Sequence, residues 1–162
     1  MTVTPTKFEV LRLEGVSRDF GTFNALRSLD LTIRRGEIVA LLGPNGCGKT
    51  TALNCIAGLL DVTGGRIMLD DTRIDTLRPE ERGFGMVFQN YALFPHMNIR
   101  RNVGFGLKMR GVAKAELDRR VDAALATVRL TNQAEKLPGQ LSGGQQQRVA
   151  IARAIVIEPP LV

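Results

Sequence analysis

A chain of 162 residues with 44% hydrophobic and 23% charged residues can bury a sizeable core, which excludes a disordered or fibrous protein. The net charge is +6 and the pI about 10.0, yet the basic runs go no further than Arg34-Arg35, Arg100-Arg101 and Arg119-Arg120, and one Tyr with no Trp offers little to stack bases. No nucleic-acid partner is expected. Met1 to Lys7 is polar and reads as no signal peptide, and no apolar stretch approaches the ~20 residues that cross a bilayer, so membrane association has to come through a partner.

Phe8, Val10, Leu11 and Leu13 alternate with Glu9 and Arg12, as in a half-exposed edge strand. Leu29, Leu31 and Ile33 repeat the pattern. Between them Arg18-Asp19-Phe20-Gly21 reads as a turn that presents Phe20, a ring suited either to ordinary core packing or to stacking on an adenine face.

Ile38-Val39-Ala40-Leu41-Leu42 is the pattern of a strand buried on both faces. Leu53, Ile56, Ala57 and Leu60 recur at helical spacing beyond it. Between strand and helix lies Gly43-Pro44-Asn45-Gly46-Cys47-Gly48-Lys49-Thr50-Thr51, which matches G-x-x-x-x-G-K-[ST]. Each residue type has a separate task there. The glycines let backbone N–H groups point inward at an oxyanion, and the helix start adds its positive end. Lys49 is placed to reach the β- and γ-phosphates and Thr50 to offer its hydroxyl to Mg²⁺. The cysteines, Cys47 and Cys55, suggest neither a metal site nor a disulfide framework and fit a reducing, cytoplasmic setting.

Arg66 to Leu69 reads as a short strand after Gly64-Gly65, followed by a turn at Asp70-Asp71. Met86-Val87-Phe88 reads as a buried strand ending at Gln89. From Asn90 to Asn98 the aromatic and ring residues Tyr91, Phe94, Pro95 and His96 follow no period, which suggests an exposed contact loop. The pattern turns helical from Ile99. Leu117, Val121, Ala124, Leu125 and Val128 share a face, with Glu116 and Arg120 paired on the other. After Pro138-Gly139, Leu141-Ser142-Gly143-Gly144-Gln145 opens a further helix with Val149, Ala152, Arg153 and Val156 in a stripe. Ser142 can cap that helix, and the glycines expose N–H groups at its positive end. This is either a second anion site or a plain glycine turn. Pro159-Pro160 ends the helix, and Leu161-Val162 looks like the start of a strand.

The two glycine motifs, with Gln89 between them, resemble the ATP-binding subunits of ATP-binding cassette (ABC) transporters over essentially the whole chain. The resemblance implies an α/β P-loop NTPase (ABC ATPase) core with an inserted helical subdomain and an antiparallel N-terminal β portion, incomplete at the C-terminus. It divides the chain into a nucleotide-binding core (1–95), a helical subdomain ending in the signature motif (96–144), and the signature helix with the start of the Walker B strand (145–162). By the same resemblance Gly43 to Thr51 is the Walker A loop for ATP and Mg²⁺, and Phe20 is the adenine-stacking ring. Gln89 is the Q-loop glutamine near Mg²⁺ and the attacking water. Ser142, Gly143, Gly144 and Gln145 close over the ATP of a second copy in a head-to-tail homodimer.

GMVFQNYALFPHM, flanked by Pro79-Glu80-Glu81-Arg82 and NVGFGLKMRGV, looks like the importer branch that serves polyamines, ferric iron, sulfate or sugars, with polyamine importers the nearest likeness. That implies a peripheral place on the cytoplasmic face of the cell membrane. Membrane permease subunits would dock on the loop Asn90 to Asn98, and a solute-binding protein would be an indirect partner. Tyr91, Phe94 and Pro95 serve either that contact or local packing. His96 reads as a loop residue, because the family's switch histidine lies beyond the signature motif. The family's Walker B Asp and Glu would also follow Val162, so this chain is expected to hydrolyse ATP poorly. The alternative is a truncated module that binds nucleotide without turnover.

Overall fold

The computed structural model describes residues 7–162, so Met1 to Thr6 of the polar start lie outside the described residues. The chain divides into two compact units, Met1–Phe84 and Gly85–Val162.

The first unit is built on a hairpin. β1 (Val10–Phe20) and β2 (Phe23–Arg34) pair antiparallel from Val10↔Arg34 to Phe20↔Phe23, with register shifts around Leu13, Val16 and Arg18. β3 (Gly64–Leu69) pairs with the other side of β1, and β4 (Thr72–Arg73) completes a sheet of order β2-β1-β3-β4. The first strand is therefore an interior strand and not the edge that its alternation suggested. Alternation reports which face is buried, here Leu11, Leu13 and Val16, and says nothing about how many neighbours a strand has. The Asp70-Asp71 turn forms as expected. Asp70 takes a left-handed φ of 51°, and its carboxylate accepts from the N–H groups of Glu9 and Val10 at 3.0 and 2.8 Å.

Helix α1 (Lys49–Ala57) starts after Gly48 and ends at Gly58. Its buried residues are Ala52, Cys55 and Ile56, so of the predicted stripe Ile56 is buried, Leu53 is 48% exposed and Leu60 lies beyond the helix. The approach of α1 to β2 sets this face: a Cβ at Gly48 would overlap the carbonyl oxygen of Ala25. A short helix α2 (Pro79–Arg82) closes the unit.

Ile38 to Leu42 forms no strand. Ile38 is fully exposed at 100% and Leu42 at 89%. A strand buried on both faces needs ladder partners and covering elements, and among the described residues the sheet is an antiparallel one that runs elsewhere. The same reason applies to Met86-Val87-Phe88, which lies in no ladder. Of the expected terminal strand, the Leu161 carbonyl accepts one backbone hydrogen bond, from Gly85 at 2.8 Å.

The second unit is helical. α3 (Ile99–Met109), α4 (Lys114–Thr127) and α5 (Gly143–Ile155) surround a core that includes Ile99, Val103, Leu107, Val121, Leu125 and Val149. Single 3₁₀ turns at Thr131–Gln133 and Pro138–Gln140 link α4 to α5. The predicted faces hold: Val121, Ala124, Leu125 and Val128 of the first stripe are buried, as are Val149, Ala152 and Val156 of the second. Glu116 pairs with Arg120 at 2.6 Å and also with Arg119 at 2.7 Å.

Candidate functional site

Gly43 to Gly48 form a loop whose glycines take φ of 155°, 82° and 93° at Gly43, Gly46 and Gly48. The left-handed values admit glycine and strain other residues. Gly48 is the N-cap of α1, with no side-chain cap and no acidic residue in the first turn. The opening N–H groups of a helix have no partner within the helix, so α1 presents uncapped donors and a positive end with no carboxylate to compete for them. The Lys49 ammonium folds over this loop and donates to the carbonyls of Gly43 and Pro44, both at 2.7 Å, with the Cys47 sulfur at 3.4 Å. A lysine bracketing the loop from its own helix leaves the loop interior facing the helix start. Asn45, Gly46 and Thr50 are exposed, and a Cβ on Gly46 would meet nothing within 4 Å. This donor set fits a polyphosphate, and the Thr50 hydroxyl at the first turn fits one ligand of a hard cation.

Phe20 closes the β1–β2 hairpin. It is 45% exposed, and the Arg18 guanidinium lies over its ring at 4.6 Å from the centroid. Arg18 is held in turn by the Asp61 carbonyl at 2.8 Å.

In the second unit Gln89 is an exposed turn residue, and the Tyr91 N–H closes that turn on the Phe88 carbonyl at 2.9 Å. Ser142 caps α5 through a reciprocal pair: its hydroxyl accepts from the Gln145 N–H at 3.3 Å, and the Gln145 side chain accepts from the Ser142 N–H at 2.9 Å. Gly143 and Gly144 are exposed, with nothing within 4 Å of where a Cβ would lie, and no acidic residue occupies the first turn. The motif is thus presented open on a rigid helix start. Leu141 is buried below it, and Gln146 donates to the carbonyls of Pro138 and Leu141, both at 3.1 Å.

The loop Asn90 to Asn98 is less exposed than expected. Phe94 packs on Phe105 with centroids 4.7 Å apart, while Pro95 and His96 face solvent. Three polar residues, Arg82 in the first unit and Asn102 and Arg153 in the second, hold backbone segments that no sequence motif pointed to. Arg82 is 1% exposed and donates to the carbonyls of Cys55 and Ile56 at the end of α1, at 2.7 and 2.9 Å. Asn102 is fully buried, and its side chain both accepts from and donates to the backbone of Phe94. Their partners are backbone groups, which leave no mark in a residue pattern; for Asn102 and Arg153 the only signal was a polar residue on an apolar helical stripe.

The ABC transporter family model matches residues 26–162, from within the second hairpin strand to the last residue given. The chain belongs to the ABC transporter family. Among curated ABC relatives, it is 50% identical over 153 residues to the spermidine/putrescine import ATP-binding protein PotA of Pseudomonas aeruginosa, covering 94% of this chain and 42% of that one. Its identity to the protein of the same name in Nitratidesulfovibrio vulgaris is 53%, over the same shares. An sn-glycerol-3-phosphate import ATP-binding protein, UgpC 1 of Rhizobium johnstonii, is 46% identical over 92% of this chain and 40% of its own length. The chain therefore spans about two-fifths of the length of these ABC relatives. The solved structure of CbiO1 from Clostridium perfringens, part of the ABC transporter complex CbiONQ, superposes with a TM-score of 0.83 at 33% identity, covering 94% of this chain and 63% of that one. The fold is that of the P-loop ABC ATPases, with helices and an antiparallel sheet in this segment.

Proposed function

We propose that this chain is the nucleotide-binding part of an ABC importer subunit that binds Mg·ATP and hydrolyses it to drive uptake of a small solute, a polyamine by the relatives named for spermidine/putrescine import. The observation that carries the proposal is the uncapped start of α1 beneath a glycine loop bracketed by Lys49. The residues Gly43, Pro44, Asn45, Gly46, Cys47, Gly48, Lys49, Thr50 and Thr51 hold the triphosphate, and Phe20 stacks on the base with Arg18 behind it. Lys49 leaves its carbonyl partners for the β- and γ-phosphates, exchanging neutral acceptors for charged ones. Thr50 and Gln89 would each supply a ligand to Mg²⁺, which when bound would neutralise developing phosphate charge. Gln89 also orients the attacking water, and catalysis is positioning and charge rather than covalent chemistry.

A second copy, arranged head to tail, presents its Ser142, Gly143, Gly144 and Gln145 to the phosphates, so the division at residues 1–95, 96–144 and 145–162 sets a core against a signature helix in trans. Permease subunits dock on the loop Asn90 to Asn98 from the cytoplasmic face of the membrane, and a solute-binding protein acts through them. The relatives named as import ATP-binding proteins support the importer reading. Lys49→Ala is expected to abolish binding of a fluorescent ATP analogue measured by anisotropy in the presence of Mg²⁺. Tight binding retained by that variant would overturn the assignment of the loop.

A further inference from the structure

The loop between Phe88 and α3 has two holders on different helices. From α3, Asn102 grips its later half, accepting from the Phe94 N–H at 2.8 Å and donating to the carbonyls of Met97 and Asn98 at 2.9 and 3.1 Å. From α5, the Arg153 guanidinium grips its earlier half, donating to the carbonyls of Tyr91 and Ala92 at 2.9 and 2.7 Å and lying 5.5 Å from the Phe94 ring centroid. Tyr91 and Ala92 take left-handed φ of 61° and 46°, a conformation that residues with a Cβ adopt only at a cost. Successive left-handed residues turn neighbouring carbonyls to one side, where a planar donor fork can bind both.

α5 is the helix whose start carries Ser142 to Gln145. Its rise places Arg153 about 15 Å from that start, on the same rigid rod. We propose that Arg153 is a coupling residue that transmits displacement of the signature end of α5 to the loop Asn90 to Asn98 by holding Tyr91 and Ala92 in their strained conformation. This rests on the functional reading above, in which the two ends meet nucleotide and permease. A rigid-body shift of α5 moves the Arg153 fork while Asn102 keeps the later half of the loop on α3, so the loop changes shape between its two holders. Burial of the guanidinium, which lowers its pKa, also makes loss of either carbonyl partner costly.

Two measurements test this. In hydrogen exchange on the chain itself, Arg153→Met is expected to speed exchange of the peptide around residues 89–94 by at least about tenfold while the α3 and α4 peptides keep their protection. Arg153→Lys, which keeps the charge but not the fork, should fall between the variant and the wild type. Unchanged loop exchange in Arg153→Met, or a loss of protection spread evenly over α3 and α4, would overturn the proposal. In the importer assembled with its permease in proteoliposomes, the ratio of solute-stimulated to basal ATPase should fall toward one in Arg153→Met, a loss of coupling that a lower turnover alone would not give. Stimulation equal to wild type would overturn the coupling. Absence of stimulation in the wild type would instead sink the importer reading, and the exchange experiment would still decide whether Arg153 holds the loop.

Discussion

Arg82 shows how much of the cradle depends on a residue far from it. Its guanidinium donates to Cys55 and Ile56 at the end of α1 and to Leu77 and Asp75, at 3.0 and 3.1 Å, in the segment before α2. A cation among the last carbonyls of a helix also opposes the negative end of its dipole, so one side chain anchors the end of α1 opposite Lys49. Gly58 makes room for it: a Cβ there would lie 2.7 Å from the Arg82 Nε, at a φ of 81°. Arg82→Met should cost about 3 kcal/mol or more, because the carbonyls it leaves are buried. Gly58→Ala should cost about 2 kcal/mol from the left-handed backbone and the clash. Both changes break one clamp, so the double variant should cost less than the two together in urea unfolding followed by circular dichroism. Additive costs would show that the two residues act separately.

At the scale of elements, α4 carries a titration of its own. Hydrogen bonds from Arg119, then Arg120, draw the Glu116 carboxyl down from 4.5 to about 2. Between those values the unfolded chain binds the proton that the folded chain refuses. The carboxylate's contribution is therefore complete above pH 4.5 and is lost as the pH falls toward about 2. Glu116→Gln should flatten the acid side of a plot of urea midpoint against pH in that interval and leave the neutral limb nearly unchanged, since an exposed triad adds little. An acid limb as steep as wild type would refute the assignment.

The helices were the most legible elements. In α4 and α5 the apolar stripe, the cap at Ser142 and the Pro138-Gly139 break are local signals, and a helix satisfies its own backbone within a few residues. The loop before α1 was legible for the same reason, because its glycines and Lys49 specify a conformation over fewer than ten residues. What the sequence misplaced depends on distant partners. An apolar run such as Ile38 to Leu42 resembles a buried strand whether or not a ladder is there to receive it, and the alternation of β1 cannot count its neighbours. The exposed Leu53 was misread because the face that α1 buries is chosen by Gly48 against Ala25, from outside the helix.

For the molecule as a whole, charge and apolar exposure act in opposite directions. A net charge of +6 keeps copies apart at low salt, but Ile38 and Leu42 present bare aliphatic side chains on a backbone with no ladder. An unpaired apolar run offers both hydrophobic area and open hydrogen-bonding groups to a second copy. Salt screens the repulsion, with a Debye length that falls from about 10 Å at 0.1 M to about 3 Å at 1 M, and leaves the apolar attraction intact. Self-association of the 162-residue chain should therefore rise with salt in light scattering. The double substitution Ile38→Lys with Leu42→Lys should suppress that rise, while the melting temperature of the helical unit, read by far-ultraviolet circular dichroism, stays where it was. Suppression without a change in melting assigns the association to this run. A salt response identical to wild type would place the sticky surface elsewhere, and a lower melting temperature would mean that the run contributes packing its exposure does not show.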